Sequence, residues 1–220
     1  MRINADLTER VVIETETLDW VPSPLAGVER RMLDRDGAEQ GRATTIVRFQ
    51  PGSYFDPHTH PAGEEFLVLD GTFSDETGDF PAGSYVRNPP GSRHKPHSAG
   101  GCTIFVKLCQ MEPDDQETVH VDTHSAAWLP GMVAGLSVMP LFERGFEHVA
   151  LVKWQPGTEF TRHTHPGGEE ILVLDGIFED ELGRYPKGTW LRNPPGSEHT
   201  PFSTEGGLIY VKTGHLGATA

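Results

Sequence analysis

Cysteine is nearly absent: Cys102 and Cys109 are the two in 220 residues. That excludes a disulfide framework as the organising device, and the opening MRINADLTERVVIE has no apolar leader. The expected setting is therefore the reducing cytoplasm. Basic residues are scarce as well, with 18 Lys and Arg against 32 Asp and Glu, a formal net charge of −14. Nucleic acid and anionic membrane surfaces recruit cationic clusters, so neither is an expected partner. No stretch approaches the roughly 18 apolar residues of a membrane span. No capped window of a dozen residues has helical apolar spacing. What the chain has in excess is turn-forming residues, 25 Gly and 18 Pro, and the 36% of hydrophobic residues still suffices for a core at this length.

The sequence is written twice. The stretch from His58 to Pro96 returns from His163 to Pro201 at an offset of 105, with 26 of 39 positions identical. Upstream the offset is 108, where VVIETETLDWVP (11–22) matches VHVDTHSAAWLP (119–130). A three-residue length change falls between Gly27/Gly135 and Pro51/Pro156. A period of this size is that of a domain. The reading is an N-terminal domain over 1–110, an acidic linker MEPDDQ over 111–116, and a C-terminal domain over 117–220. Within each, short runs such as TTIVRF, EFLVLDGTF and TIFVKL are β-branched and aromatic, and Gly/Pro turns bound them. Turn signals every eight to twelve residues in a helix-poor chain predict an all-β sandwich or barrel.

The chemistry lies in the histidines. His58-Thr-His60 and His163-Thr-His165 place both imidazoles of a pair on one strand face. Glu64 and Glu169 follow beyond Pro-Ala-Gly and Pro-Gly-Gly turns, and His94 and His199 close NPPGSRH and NPPGSEH. Three imidazoles and one carboxylate suit a first-row divalent metal, and the prediction is two such ions per chain, Zn, Fe, Mn or Ni. Four-coordinate zinc would be closed and structural, whereas six-coordinate iron, manganese or nickel would keep positions for an oxygen ligand. His124, His148 and His215 receive no role, and His97, which aligns with Phe202, reads as a packing position. Lys107 and Lys212 read equally as inward groups meeting an acidic substrate or as exposed strand lysines. Arg87-Asn88 and Arg192-Asn193 either support the ligands or anchor the Pro-Pro turns. Changes beside the histidine pairs (Tyr54 to Glu159, Asp56 to Thr161, Pro57 to Arg162) leave the ligands untouched, which suggests differently lined sites and one active pocket.

These motifs resemble a family. Gly52-x5-His58-x-His60-x3-Glu64-x6-Gly71 fits the first cupin motif, and Gly83-x5-Pro89-x-Gly91-x2-His94 fits most of the second, with Ser98 where many cupins carry Asn. The second half repeats both from Gly157 to Ser203. The resemblance implies a bicupin of two jelly-roll β-barrels, each holding a metal through His58, His60, Glu64 and His94 or through His163, His165, Glu169 and His199. HPGGEEILVLDGIFEDE and YPKGTWLRNPPGSEH are similar to the ChrR-like cupins, whose name-giving member is an anti-sigma factor. That implies a sensing module with a sigma-factor partner, but the His-x3-Cys-x2-Cys zinc pattern of the anti-sigma domain is missing here. Relatives also resemble dioxygenases that cleave diketones. The expected function is thus dioxygenase or lyase chemistry on, or binding of, a small oxygenated molecule. A sensing role and a structural zinc protein are the alternatives, and a homodimer through edge strands is compatible with either.

Overall fold

The computed structural model describes residues 1–217. Among them the one helical element is a short 3₁₀ turn, Thr15–Thr17, and no helix is long and apolar enough to cross a membrane. The chain forms two compact units. The first comprises Met1–Ala5 and Leu18–Ser125, the second Asp6–Thr17 and Ala126–Ala220. The units thus differ from the contiguous halves of the sequence, because the segment around Val11–Glu14 pairs with Thr189–Asn193 while Val119–Asp122 pairs with Ser84–Asn88. These are the two segments that matched at an offset of 108.

Both units have one design. In the first, the main antiparallel sheet runs Arg2–Ile3, Val28–Asp36, Arg42–Phe49, Cys102–Leu108, Glu64–Asp75, Ser84–Asn88 and Val119–Asp122, while His58–His60 pairs separately with Ser92–His94. The second unit repeats this with Leu136–Arg144, Glu147–Trp154, Gly207–Thr213, Glu169–Asp180, Thr189–Asn193 and Val11–Glu14, and pairs His163–His165 with Ser197–His199. The three-residue length change is a hairpin turn. Residues 37–41 (GAEQG) join Val28–Asp36 to Arg42–Phe49, where Gly145 and Phe146 alone make the equivalent connection.

Aromatic and β-branched side chains fill the interior. Phe49, Phe66, Phe73 and Ile104 form the first core, and Trp154, Ile171, Phe178 and Ile209 form the second. Each such side chain contributes about 2–3 kcal/mol by leaving water. Cys102 belongs to the first core, where burial pushes its thiol up to about 11. Both cysteines are free, as expected of thiols that are not a framework.

The longest strands do more than line the core. Glu64–Asp75 and Glu169–Asp180 each have 12 residues, and straight they would span roughly 36 Å. Each is instead bent at its Leu-Asp-Gly. One residue is extra to the pairing at Leu69 and at Leu174, and the bulge is followed by Gly71 at φ 71° or Gly176 at φ 66°. A β-bulge adds a kink and twist, and glycine takes positive φ without the Cβ penalty. Here a Cβ would also stand 2.1 Å from the Gly101 carbonyl oxygen or 2.2 Å from that of Gly206. Gly71→Ala and Gly176→Ala are each expected to lose roughly 2–4 kcal/mol of stability through strain and backbone collision. Urea melts check this, and an unchanged midpoint would refute the bend's dependence on glycine.

Candidate metal centres

The small ladder of His58–His60 with Ser92–His94 pairs His58 directly with His94, and His163 faces His199 in the same register. Two imidazoles therefore come from one strand and the third from across it. In each unit the ligand atoms of the three histidines lie within 4.8 Å of one another. His60 and His94 bring their Nε2 atoms to 2.9 Å, and His165 and His199 to 3.0 Å. Glu64 Oε2 lies 3.6 Å from His60 Nε2 and 3.4 Å from His94 Nε2. Glu169 stands 3.5 Å and 3.6 Å from its two partners. The structure thus brings together all eight residues proposed from the sequence, four in each unit.

The proton positions fit metal binding. His58 Nδ1 faces the Asp56 carbonyl at 2.9 Å, and His163 Nδ1 faces that of Thr161 at 2.9 Å. A carbonyl only accepts, so Nδ1 carries the hydrogen and Nε2 keeps a lone pair. His94 Nδ1 is 3.0 Å from Asp75 Oδ2, and His199 Nδ1 is 3.5 Å from Asp180 Oδ2. Three imidazoles and a carboxylate thus converge, and the short separations, from 2.9 Å between His60 and His94 to 3.6 Å between His60 and Glu64, lie near polyhedron edges of about 3.0–3.4 Å for bonds of about 2.1 Å. This donor set could hold a divalent cation in each unit.

Burial tunes the imidazoles. His60, at 6% exposure, is held below the usual histidine range by loss of solvent. His165 is lowered to about 3 by burial and then by His199 and His163. Burial opposes the His94 imidazolium too, but the Asp75 hydrogen bond and the Glu64 charge outweigh it and leave that group raised. His199 is raised in the same way by Asp180 and Glu169. Burial also raises the Glu169 carboxyl.

The pattern shared by the two units ends one layer out. Asn88 Nδ2 donates to Glu64 Oε2 at 3.3 Å, and Asn193 Nδ2 to Glu169 Oε2 at 2.9 Å. The asparagines therefore hold the glutamates. Arg87 instead pairs with Glu65 and Asp115, and Arg192 donates to the Asp6 carbonyl at 2.7 Å. Only in the second unit does an arginine reach this layer among the described contacts. Arg10 Nε donates to Asn193 Oδ1 at 3.0 Å and Arg10 Nη2 to the Tyr185 hydroxyl at 2.6 Å. Tyr185 in turn donates to Asp180 Oδ1 at 2.8 Å. In the first unit the matching positions are Thr118 and Phe80.

The lysines take neither sequence reading. Lys107 and Lys212 are buried, one donating to Thr44 Oγ1 at 2.9 Å and the other pairing with Glu147 at 2.9 Å. Lys107 lies on the strand face opposite Ile104, Val106 and Leu108, which line a cavity of about 360 Å³ in the first unit. His58, His60 and Glu64 open into that cavity, together with Phe55, Phe73 and two arginines, Arg30 and Arg35. Sequence reasoning missed Asp75, Asp180, Arg10 and both cavity arginines. Identity of the Asp between repeats was a usable signal, whereas Arg10, Arg30 and Arg35 lack counterparts in the other repeat.

His60→Ala and His165→Ala should each reduce bound metal from two ions per chain to one, by elemental analysis. Arg10→Met should weaken the second centre alone, by roughly 10–100-fold, in competition with a chromophoric chelator. Two ions retained in either histidine variant would refute the ligand assignment.

Residues 8–112 and 116–217 each match the family model described as the ChrR Cupin-like domain. No curated protein matches the chain. Among solved structures, a "putative dioxygenase" from Nostoc punctiforme is 18% identical with a TM-score of 0.79, over 97% of this chain and 85% of that one. Protein Ylba from E. coli is 16% identical with a TM-score of 0.73, over 95% and 92%. A point mutant of Bacillus subtilis oxalate decarboxylase is 13% identical with a TM-score of 0.65, over 94% and 77%. At these identities the likeness is one of fold, and it agrees with an all-β double cupin. With the family model matched once in each repeat, the chain belongs to the ChrR cupin-like domain family.

Proposed function

We propose that the protein is a metal-dependent enzyme of dioxygenase or lyase type acting on a small oxygenated organic molecule, with its reaction centre in the first unit. The observation that carries this reading is the opening of His58, His60 and Glu64 into a mostly apolar cavity of about 360 Å³, a size suited to a small ligand. A closed structural site has no use for such a space. The names of two fold relatives, a "putative dioxygenase" and an oxalate decarboxylase, support chemistry on oxygenated carbon.

The ion would be held by His58, His60, Glu64 and His94. When bound it supplies Lewis acidity and, in six-coordinate form, adjacent positions for oxygen ligands. The residues do the rest. The Asp56 carbonyl and Asp75 fix the rings of His58 and His94, while Asn88 orients Glu64. Three neutral imidazoles and one carboxylate leave a divalent site with a net charge of about +1, which favours an anionic oxygen ligand such as an enolate. Phe55, Phe73 and Val106 exclude water from the substrate's carbon skeleton.

The test loads the purified chain with iron, manganese or nickel and supplies β-diketones and α-hydroxyketones. Oxygen uptake and product masses are followed with and without air. Turnover is expected in the wild type, lost in His60→Ala and retained in His165→Ala. No consumption of any compound by protein carrying two ions would overturn the reading.

A further inference from the structure

The first-unit cavity contains a buried cation that the metal centre does not use. Arg35 is 3% exposed and lines the cavity. Its Nη1 donates to the Ala38 carbonyl at 2.7 Å, and its Nε is buried without a hydrogen-bond partner. Loss of solvent holds its guanidinium below the ordinary arginine value, with Glu39 opposing that shift. Arginine nevertheless remains charged in proteins. An ionised group with an unsatisfied buried donor is costly unless an acceptor arrives.

Sheet register locates this cation relative to the metal ligands. Arg35 pairs with Ala43, Ala43 with Leu108, and Leu108 with Glu64. Directly paired residues share a face, so Arg35 and Glu64 look into the same space from two ends of one row. Three strand spacings put their backbones roughly 14 Å apart along the sheet. Ala43 and Leu108 stand between them, and the Leu108 side chain lines the cavity along that interval. After allowance for both side chains, a chain of about four to eight carbons fills it.

Arg30, which also lines the cavity, is already matched by Glu39 at 2.7 Å. Glu39 sits on the longer 37–41 hairpin, and its carboxylate is 62% exposed. Among the described residues the second unit has no equivalent of this arginine pair. Its row reads Glu143, His148, Thr213 and Glu169, and Val138 stands where the first unit has Arg30.

We infer that the first cavity recognises a carboxylate through Arg35, so that its ligand is a short carbon chain with metal-chelating oxygens at one end and a carboxylate at the other. The substrate class rests on the enzyme reading above, whereas the arginine subsite does not. The second unit binds no such molecule, because Glu143 and Val138 stand where the first unit has Arg35 and Arg30.

Calorimetric titration of manganese-loaded protein with α,ω-dicarboxylates from glutarate to azelate, each against its monocarboxylate, tests the inference. The best dicarboxylate is expected to bind roughly 10–100-fold tighter than its monocarboxylate, the size of a charge-assisted hydrogen bond. Arg35→Gln should abolish that advantage. Glu39→Gln, at an exposed site that cannot threaten the fold, should strengthen dicarboxylate binding by freeing Arg30. Equal binding of the two series, an advantage retained in Arg35→Gln, or an unchanged affinity in folded Glu39→Gln would each overturn the inference. Dicarboxylate affinity that depends on Arg35 but not on metal would support the subsite while sinking the substrate class and its enzyme reading.

Discussion

One bent strand grips one imidazole from both sides, and each unit is arranged around that grip. Glu64 begins and Asp75 ends a single strand, yet both carboxylates reach His94, one at Nε2 and the other at Nδ1. Glu169 and Asp180 treat His199 in the same way. Such contact requires the chain to fold back on itself within a dozen residues. The bulge and the positive-φ glycine supply the bend, and the Gly101 and Gly206 carbonyls leave no room for a larger residue at that corner. Phe73 and Phe178 lie between bend and site, their rings 6.0 Å and 6.2 Å from those of His94 and His199. The core that stabilises the fold therefore also fixes the ring on which the donor sets depend.

Duplication preserved this grip and let the surroundings change. The histidines, glutamates, asparagines and ring-holding aspartates occur in both units at matching positions. Around them the first unit acquired cavity arginines and a longer hairpin, and the second acquired Arg10, Tyr185 and a carboxylate at Glu143. Arg10 ties Asn193 and Tyr185 together, and through them both carboxylates that address His199. That arrangement stiffens a centre. The first unit instead carries a partly unsatisfied guanidinium in an open space, which suits a centre that admits a ligand. One fold thus supports a held site and an accessible one.

Much of this was legible in the sequence because it is local or repeated. His-x-His reports a strand face directly, the Gly/Pro corners bound the strands, and the 105-residue offset reveals the duplication. The eight proposed ligands converge because strand periodicity and rigid turns govern their placement. The assignment of segments to compact units was not legible, since the partner of Val11–Glu14 lies far along the chain. A strand's own residues do not specify which edge it joins. Lys107 and Lys212 escaped for a related reason: a lysine in TIFVKL or LIYVKT does not itself reveal that the face it occupies is buried. Arg35 was invisible because only the cross-strand row through Ala43 and Leu108 relates it to Glu64.

The donor sets also explain why so elaborate a corner is needed. The Nε2 atoms of His60 and His94 stand 2.9 Å apart with His94 Nδ1 turned toward Asp75, so without a cation two neutral rings satisfy each other only when His60 carries its hydrogen on Nε2. A third ring and a buried carboxylate crowd the same point. Left to relax, these groups would separate and hydrate, because each loses solvation by remaining there. The bend, the aromatic packing behind it and the asparagine bonds to the glutamates hold them close against that tendency. Preorganisation of this kind shifts the cost of assembling a cation site from the moment of binding to the folding of the chain. The glycine corner and the converged ligands are therefore two ends of one arrangement, and each accounts for the presence of the other.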